Sequence, residues 1–433
     1  MSALLEAAVS AQDEVVPFRD LLLDGDVVGA HLARSAGADG PLAVAQCACV
    51  HAKYRAGHGL RTVYRLRADG REHWLAARAV REPGRAARHA ALALAGAAPA
   101  GPLRAVFAVP ELGAVFYAFP NDRKISDLRV LADEAALAAL CGRPRVRAEL
   151  VAWAAETTVT ARCVEPDGRV AGFAKVYVDD LAARAISVNA ALGEAARDAG
   201  GTLRLPRVLG ASLSRRAFVL EPIAGVPLFA LSGRARADAY ERLGAALAVL
   251  HGLPAPAAAP HFDRLEGDRL RTAAAAIAHA HPAVATAAND IAEDLVARAP
   301  EPQGAGGCLH GDAHPGNVLV DGTRIGLIDL DLAARGPAAA DPALALAGLR
   351  QERLVGRIDV HRERVLAARL LAGYAAVRPL PEPSDLAWHT AGWLLARPAL
   401  PGAVSGHVRP SALAHLPGLV DEARALLAEG SPA

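Results

Sequence analysis

The chain has 433 residues, a formal net charge of +1, and basic and acidic side chains interspersed along its length. That length exceeds one ordinary core and predicts two or three domains, or the lobes of one enzyme. With no long block of one charge sign, neither a nucleic acid nor an anionic membrane is an expected partner. The opening MSALLEAAVSAQDEVV lacks a basic leader, and Glu6 and Gln12 interrupt its apolar run, so a signal peptide is not expected. No stretch reaches about 18 strongly apolar residues, and the expected location is the cytoplasm. The cysteines Cys47, Cys49, Cys141, Cys163 and Cys308 are odd in number and scattered, which fits reduced thiols better than a disulfide framework. Cys47 and Cys49 would share one strand face, but no second Cys or His pair stands near them at zinc-site spacing.

In chain order, the first feature is a weak internal repeat between residues 44–80 and 144–178, aligned on Asp69-Gly70 and Asp167-Gly168. Each copy predicts a three-stranded antiparallel meander, because an Asp-Gly pair between alternating apolar runs is the usual hairpin signal. Unrelated antiparallel sheets with similar turn lengths would also align this well. One position separates the copies: Ala77 of the first stands opposite Lys175 of the second. A lysine flanked by Phe173, Ala174, Val176 and Tyr177 is costly to bury without an anionic partner. Lys175 is therefore a candidate phosphate ligand, the alternative being a strand-edge lysine whose head reaches water.

After Lys175, DDLAARAISVNAALGEAARDAG predicts a helix ending at a glycine pair, and LPRVLGASLSRRAFVLEPIAGVPL predicts two strands and an extended connector. From Ala235 onward helices dominate: one closing at Gly252, a helical region over 268–298, and helices broken by Pro-rich turns over 343–430. Strands first and helices later predict an α+β bilobal plan. Residues 1–140 would form an N-terminal extension with a degenerate three-stranded half-lobe repeat. Residues 141–224 would form a small antiparallel β lobe with one helix, and 225–433 a large helical lobe.

The chemistry is concentrated in residues 310–331, HGDAHPGNVLVDGTRIGLIDLD. Asp312 precedes Asn317 by the separation found between the base and the metal-ligating Asn of a kinase catalytic loop. VLVDGTRIGLID is a hairpin by its Asp-Gly turn, so it returns the chain and brings Asp329 beside Asn317. Two oxygen ligands there suit Mg²⁺, which binds through one or two carboxylates plus substrate phosphates. The chain contains no G-x-x-x-x-G-K-[ST], no G-x-G-x-x-G after a strand, no H-E-x-x-H and no G-x-S-x-G.

HGDAHPGN followed by IDLDLA resembles the aminoglycoside phosphotransferase and choline kinase superfamily, whose fold is that of protein kinases; the resemblance is specific over roughly 145–345. It implies transfer of the γ-phosphoryl group of ATP, with Mg²⁺, to a hydroxyl of a small molecule such as a sugar, an amino alcohol or an aminoglycoside-like compound. It implies Asp312 as general base or orienter of the acceptor, Asn317 and Asp329 as metal ligands, and Lys175 as the partner of the ATP phosphates. LEPIAGVPL would be the hinge, with backbone near Glu221 and Ile223 meeting the adenine, and His310 would hold the loop. Glu194 is the candidate partner of Lys175 on the following helix. Asp331 is either a further metal contact or a helix N-cap. Asp341, with Pro342 after it, is an N-cap or a carboxylate that orders the loop, and His314 packs within it. One departure is the turn AAETT at 154–158, which has no glycine to bring the backbone close to phosphates.

The acceptor side is expected in residues 343–433, where arginines slightly outnumber carboxylates. That balance tilts toward a neutral sugar, amino alcohol or peptide hydroxyl rather than a polycation. Trp388 and Trp393, five apart, fall on different sides of a helix, so at least one belongs to the core. Two other functions are weighed: a peptide Ser/Thr kinase acting in ribosomal-peptide maturation, and a non-catalytic nucleotide-binding protein. The glycine-free turn motivates the second, and the presence of Asp312, Asn317 and Asp329 together opposes it.

Overall fold

The computed structural model describes residues 13–55, 57–179, 181–199, 201–300, 307–399 and 414–429. The first part of the opening segment, residues 1–12, lies outside them. Helix α1 (Gly25–Ser35) starts where the Asp24 side chain accepts the N–H groups of Asp26 and Val27. It is followed by β1 (Val44–Arg55), β2 (Gly59–Ala68), β3 (Arg71–Ala79), α2 (Ala86–Leu94), β4 (Val106–Val109) and β5 (Ala114–Ala118). The strands form one antiparallel sheet in the order β1-β2-β3-β5-β4.

After α3 (Glu134–Cys141) the same succession recurs. It comprises β6 (Arg147–Ala154), β7 (Thr158–Val164), β8 (Val170–Tyr177), α4 (Leu181–Ala199), the short β9 (Leu203–Arg204), β10 (Val208–Ser212) and β11 (Ala217–Leu220). The second sheet, β6-β7-β8-β11-β10, repeats the order of the first. Registers coincide as well: Ala77 lies between Thr62 and Phe116, and Lys175 between Thr160 and Phe218. The repeat therefore does not stop at a three-stranded half-lobe, as expected, but runs to five strands with a helix after the third. Its last strands escape a sequence reading because AVFYA is buried throughout and VFAV nearly so, leaving no alternation to recognise.

Packing explains why the first copy has no lysine. Ala77 belongs to a core with Tyr64, Phe107 and Phe116, closed by Val28 and Leu32 of α1, so its face is dry. The other face shares a core with the second sheet, in which Val63, Trp74, Ala76 and Tyr117 join Trp153, Val159, Ala161, Ala174 and Val176. Helices α2 and α3 contribute Ala86, Ala90, Leu137 and Cys141 to that shared core. All five cysteines are free, as expected.

The chain then passes through β12 (Val226–Pro227) into the helical lobe: α5 (Gly233–Gly252), α6 (Gly267–Ala280) and α7 (Ala285–Ala297). The strands β13 (Gly307–Leu309), β14 (Val318–Asp321), β15 (Arg324–Leu327) and β16 (Ala334–Gly336) follow, then α8 (Ala340–Leu354), α9 (Val360–Ala375), α10 (Pro383–Ala399) and α11 (Leu416–Glu429). The fold is thus α+β and bilobal in the manner of protein kinases, preceded by an additional lobe of the same strand order. Both Trp388 and Trp393 are core residues, their indole N–H groups donating to the carbonyls of Leu295 and Ala340 at 2.9 Å. Among the described residues no helix is long and apolar enough to cross a membrane.

Helices α5 and α9 touch backbone to backbone. A Cβ on Gly244 would collide with the Leu370 carbonyl oxygen, and one on Gly373 with that of Glu241. Gly244→Ala or Gly373→Ala must push the helices apart, at a cost of about 1–3 kcal/mol typical of overpacking. Urea denaturation of either variant should show that loss; an unchanged midpoint would mean that this contact is not tight.

Candidate functional site

The hairpin of β14 and β15 pairs Val318 with Leu327, and one step further the Ile328 N–H donates to the Asn317 carbonyl at 3.0 Å. Asn317 and Asp329 are thereby neighbours, as the Asp321-Gly322 turn predicts. Asp329 itself has φ of +64°, which turns its carboxylate out of the strand. In the preceding loop the His314 N–H donates to the Asp312 carbonyl at 2.7 Å, and the Asn317 N–H to the His314 carbonyl at 2.8 Å. The Asn317 side-chain Nδ2 donates to the same Asp312 carbonyl at 3.1 Å, and its Oδ1 makes no hydrogen bond among the described residues. His314 packs within the loop, its Nδ1 accepting from the Gly316 N–H at 3.0 Å.

Three features hold this loop from behind. Gly311 has φ of +77°, and any side chain there would strike the Leu332 carbonyl oxygen. The His310 Nδ1 accepts from the Asp312 N–H at 3.2 Å, so its Nε2 carries the proton and donates to the Ile328 carbonyl at 3.0 Å. Asp341, fully buried, accepts from the N–H groups of His310 (2.7 Å) and Gly311 (2.9 Å) and contacts His251 Nε2 at 3.1 Å. Burial would raise the Asp341 pKa, but the bonds from His251 and the loop hold it below the ordinary carboxylate range. Asp341 is the loop-ordering carboxylate; the N-cap of α8 is Ala339.

Lys175 is buried, with its Nζ 2.5 Å from Asp329 and 2.7 Å from Asp331. Burial alone would lower its pKa; the two carboxylates outweigh it and keep the ammonium above its ordinary range. Desolvation by the protein around it would raise Asp329, and Lys175 brings it below the usual value. Glu194 does not meet Lys175. Helix α4 buries Val188, Asn189, Leu192 and Ala196 at helical spacing, which leaves Glu194 on the exposed side. Asp331 is not an N-cap: it lies within a short 3-10 turn and takes Lys175 and the Tyr177 hydroxyl, the latter at 2.7 and 2.8 Å. Tyr177 is held in turn by stacking on Phe218 at 5.7 Å.

At the hinge, the Glu221 carboxylate is bound to Arg207 at 2.7 Å, and its N–H donates to the Arg207 carbonyl at 2.8 Å. The Ile223 side chain lies on Gly326 of β15. Both residues line a cavity of about 390 Å³ whose lining includes neither Lys175 nor Asp329. Among the described residues the Ile223 N–H and carbonyl make no hydrogen bond, so the free backbone of this connector is at Ile223 rather than at the Glu221 N–H.

Two groups beside the site were not read from the sequence. Arg264 stacks on Trp393 at 4.8 Å and reaches the Gly311 carbonyl at 2.7 Å and the Asp312 carboxylate at 3.3 Å. Burial holds nearby Arg397 below its ordinary pKa, with Asp312 opposing that shift and Arg264 adding to it. The second group is at the glycine-free turn. Glu156 adopts φ of +62° and is buried, its carboxylate bound by Arg123 at 2.6 and 2.7 Å, Arg78 at 3.2 Å and Arg61 at 3.4 Å. The Glu156 N–H donates to Asp122 at 3.0 Å, which also accepts from the Trp153 indole at 3.1 Å. The local sequence offers one clue, an acidic residue where a kinase-like lobe carries glycine; its arginine partners lie far away in the chain.

Among the described residues no three His, Cys, Asp or Glu side chains cluster as a protein-only metal site. The adjacent Asn317 Oδ1 and the half-exposed Asp329 carboxylate are hard oxygen donors, a set that fits Mg²⁺ sharing its ligands with a phosphate compound.

The profile of the phosphotransferase enzyme family matches residues 173–380. No curated protein matches the chain. Among solved structures, a putative fructosamine-3-kinase from Thermobifida fusca YX-ER1 is similar at 22% identity, covering 69% of this chain and 99% of that one with a TM-score of 0.45. A spectinomycin phosphotransferase, solved with ADP and spectinomycin, is 14% identical over 66% of this chain and 93% of its own, with a TM-score of 0.46. A choline/ethanolamine kinase family protein from Mesorhizobium loti is 16% identical over 70% and 93%, with a TM-score of 0.43. From β8 to the end of the α9 region, residues 173–380, the chain carries the pattern of the phosphotransferase enzyme family.

Proposed function

We propose that the protein transfers the γ-phosphoryl group of ATP to a hydroxyl of a small molecule. The observation that carries this is that Lys175, 154 residues away in sequence, meets Asp329 beside the loop and hairpin that hold Asn317 next to Asp329 and Asp312. Phosphoryl transfer asks mainly for positioning and charge neutralisation, and these groups supply both. Lys175 binds the ATP phosphates, and the backbone at Ile223 meets the adenine. Asp312 orients the acceptor hydroxyl and takes its proton as the oxygen bonds to the γ-phosphorus and the bond to ADP breaks. Asn317 and Asp329 would hold Mg²⁺, which supplies neutralisation of the phosphate charge. Its expected compartment is the cytoplasm, where ATP is available.

Arg264 and Arg397 beside Asp312 argue about the acceptor. Guanidinium groups at that point repel a polycation, so a sugar or a singly charged amino alcohol suits the site better than an aminoglycoside. The test is calorimetric titration with ATP. Wild-type protein should bind it in a Mg²⁺-dependent manner, and Lys175→Met should weaken binding by about tenfold or more, equivalent to about 1.4 kcal/mol. No binding by the wild type would remove the proposal; equal affinity in the variant would remove the role of Lys175.

A further inference from the structure

The face of the first lobe that meets the glycine-free turn carries more positive charge than its neighbours balance. Arg61, Arg78 and Arg123 surround the Glu156 carboxylate, with Asp122 beside it as the second acidic group. Burial lowers the Arg61 pKa, with Arg78 and Arg123 adding to the shift and Glu156 and Asp122 opposing it, while the bond to Glu156 raises Arg123. Lys53 is lowered too, by burial and then by Arg61. Such an excess inside a protein is stabilised by an anion.

A cavity of about 260 Å³ opens beside these arginines, and its charged and titratable lining is His58, Arg78, Arg81, His89, Tyr117 and Arg123, with no carboxylate. Tyr117, only 5% exposed, is part of this lining. The cavity lies on the opposite sheet face from the sealed one under Ala77, and its lining includes none of Lys175, Asp312, Asn317 or Asp329.

We infer that this cavity is a binding site for a small oxyanion of two or more negative charges, a phosphate monoester or a dicarboxylate, which shares Arg78 and Arg123 with Glu156. Occupancy draws these guanidiniums away from the turn between β6 and β7, so the ligand and Glu156 compete. The site stands independently of any phosphotransfer activity.

The test uses the full chain in EDTA, with inorganic phosphate and malonate as separate probes at an ionic strength matched by sodium chloride, and a fluorescence-monitored thermal shift as readout. Phosphate, malonate or both should raise the melting temperature beyond chloride, and the probe that does so identifies the ligand class. Arg81→Glu combined with His89→Glu, both exposed rim positions, should raise the dissociation constant by about tenfold or more. Lys175→Met should leave that constant unchanged, and Glu156→Gln should tighten binding by freeing Arg78 and Arg123. The site is refuted if neither probe exceeds chloride, if the rim variant binds as well as wild type, or if Lys175→Met abolishes the shift. Unchanged affinity in Glu156→Gln would refute the sharing of arginines.

Discussion

Asp312→Ala is expected to reduce turnover by about 10²–10⁴-fold, the range attributed to a positioned general base, while Mg·ATP binding stays nearly intact. The two effects separate because of how the residue is used. Its carbonyl, which the substitution keeps, orders the loop by accepting from His314 N–H and Asn317 Nδ2. Its carboxylate faces Arg264 and takes no part in the ion pairs of Lys175 with Asp329 and Asp331. Steady-state kinetics and calorimetry on one preparation would check both halves. Near-normal turnover of an identified acceptor would show that another group moves the proton.

The largest loss of stability is expected for Asp341→Ala. This buried carboxylate satisfies two loop N–H groups and faces His251, itself tied to the Tyr374 hydroxyl at 2.9 Å. Removing one partner of such a buried network costs about 3–5 kcal/mol, and turnover should fall with it because His310 and Gly311 set the path of the chain into Asp312. The pH dependence has a definite sign. The folded-state pKa of Asp341 is depressed, so its contribution is complete above the unfolded carboxyl value of about 3.9 and is lost as pH falls through the lower folded value. Wild-type melting temperature should therefore fall in acid, and the gap to Asp341→Ala should narrow there. A gap that stays constant from neutral pH down to the acid limit would contradict a charged Asp341.

Local signals were enough for much of this site. An Asp-Gly turn specifies a tight hairpin, so the approach of Asp329 to Asn317 follows from the chain itself. Lys175 stands out because a charge inside an apolar strand needs a partner. The identity of that partner does not follow: Glu194 was the nearest acidic residue on the next helix, but helical phase turns it outward, and Asp329 and Asp331 reach the lysine from 154 and 156 residues away. The same limit hides Glu156, whose three arginines come from the other lobe. It also hides the second half of the repeat, since β4 and β5 are short and mostly or wholly buried, and their order in the sheet is decided by long-range pairing. The resemblance of HGDAHPGN and IDLDLA bears on the phosphate side of the cleft. Arg264 and Arg397, which stand beside the Asp312 carboxylate, become visible only when α10 is folded against the loop.

The central claim is that these groups move a phosphoryl group. Its most direct test is incubation of the protein with γ-labelled ATP and Mg²⁺ in the presence of sugars, amino alcohols, aminoglycosides and peptides, with water counted as an acceptor. The account predicts Mg²⁺-dependent transfer of label to a small hydroxyl compound, absent in Asp312→Ala. Binding of Mg·ATP with no label leaving it, to any of these acceptors or to water, would contradict it.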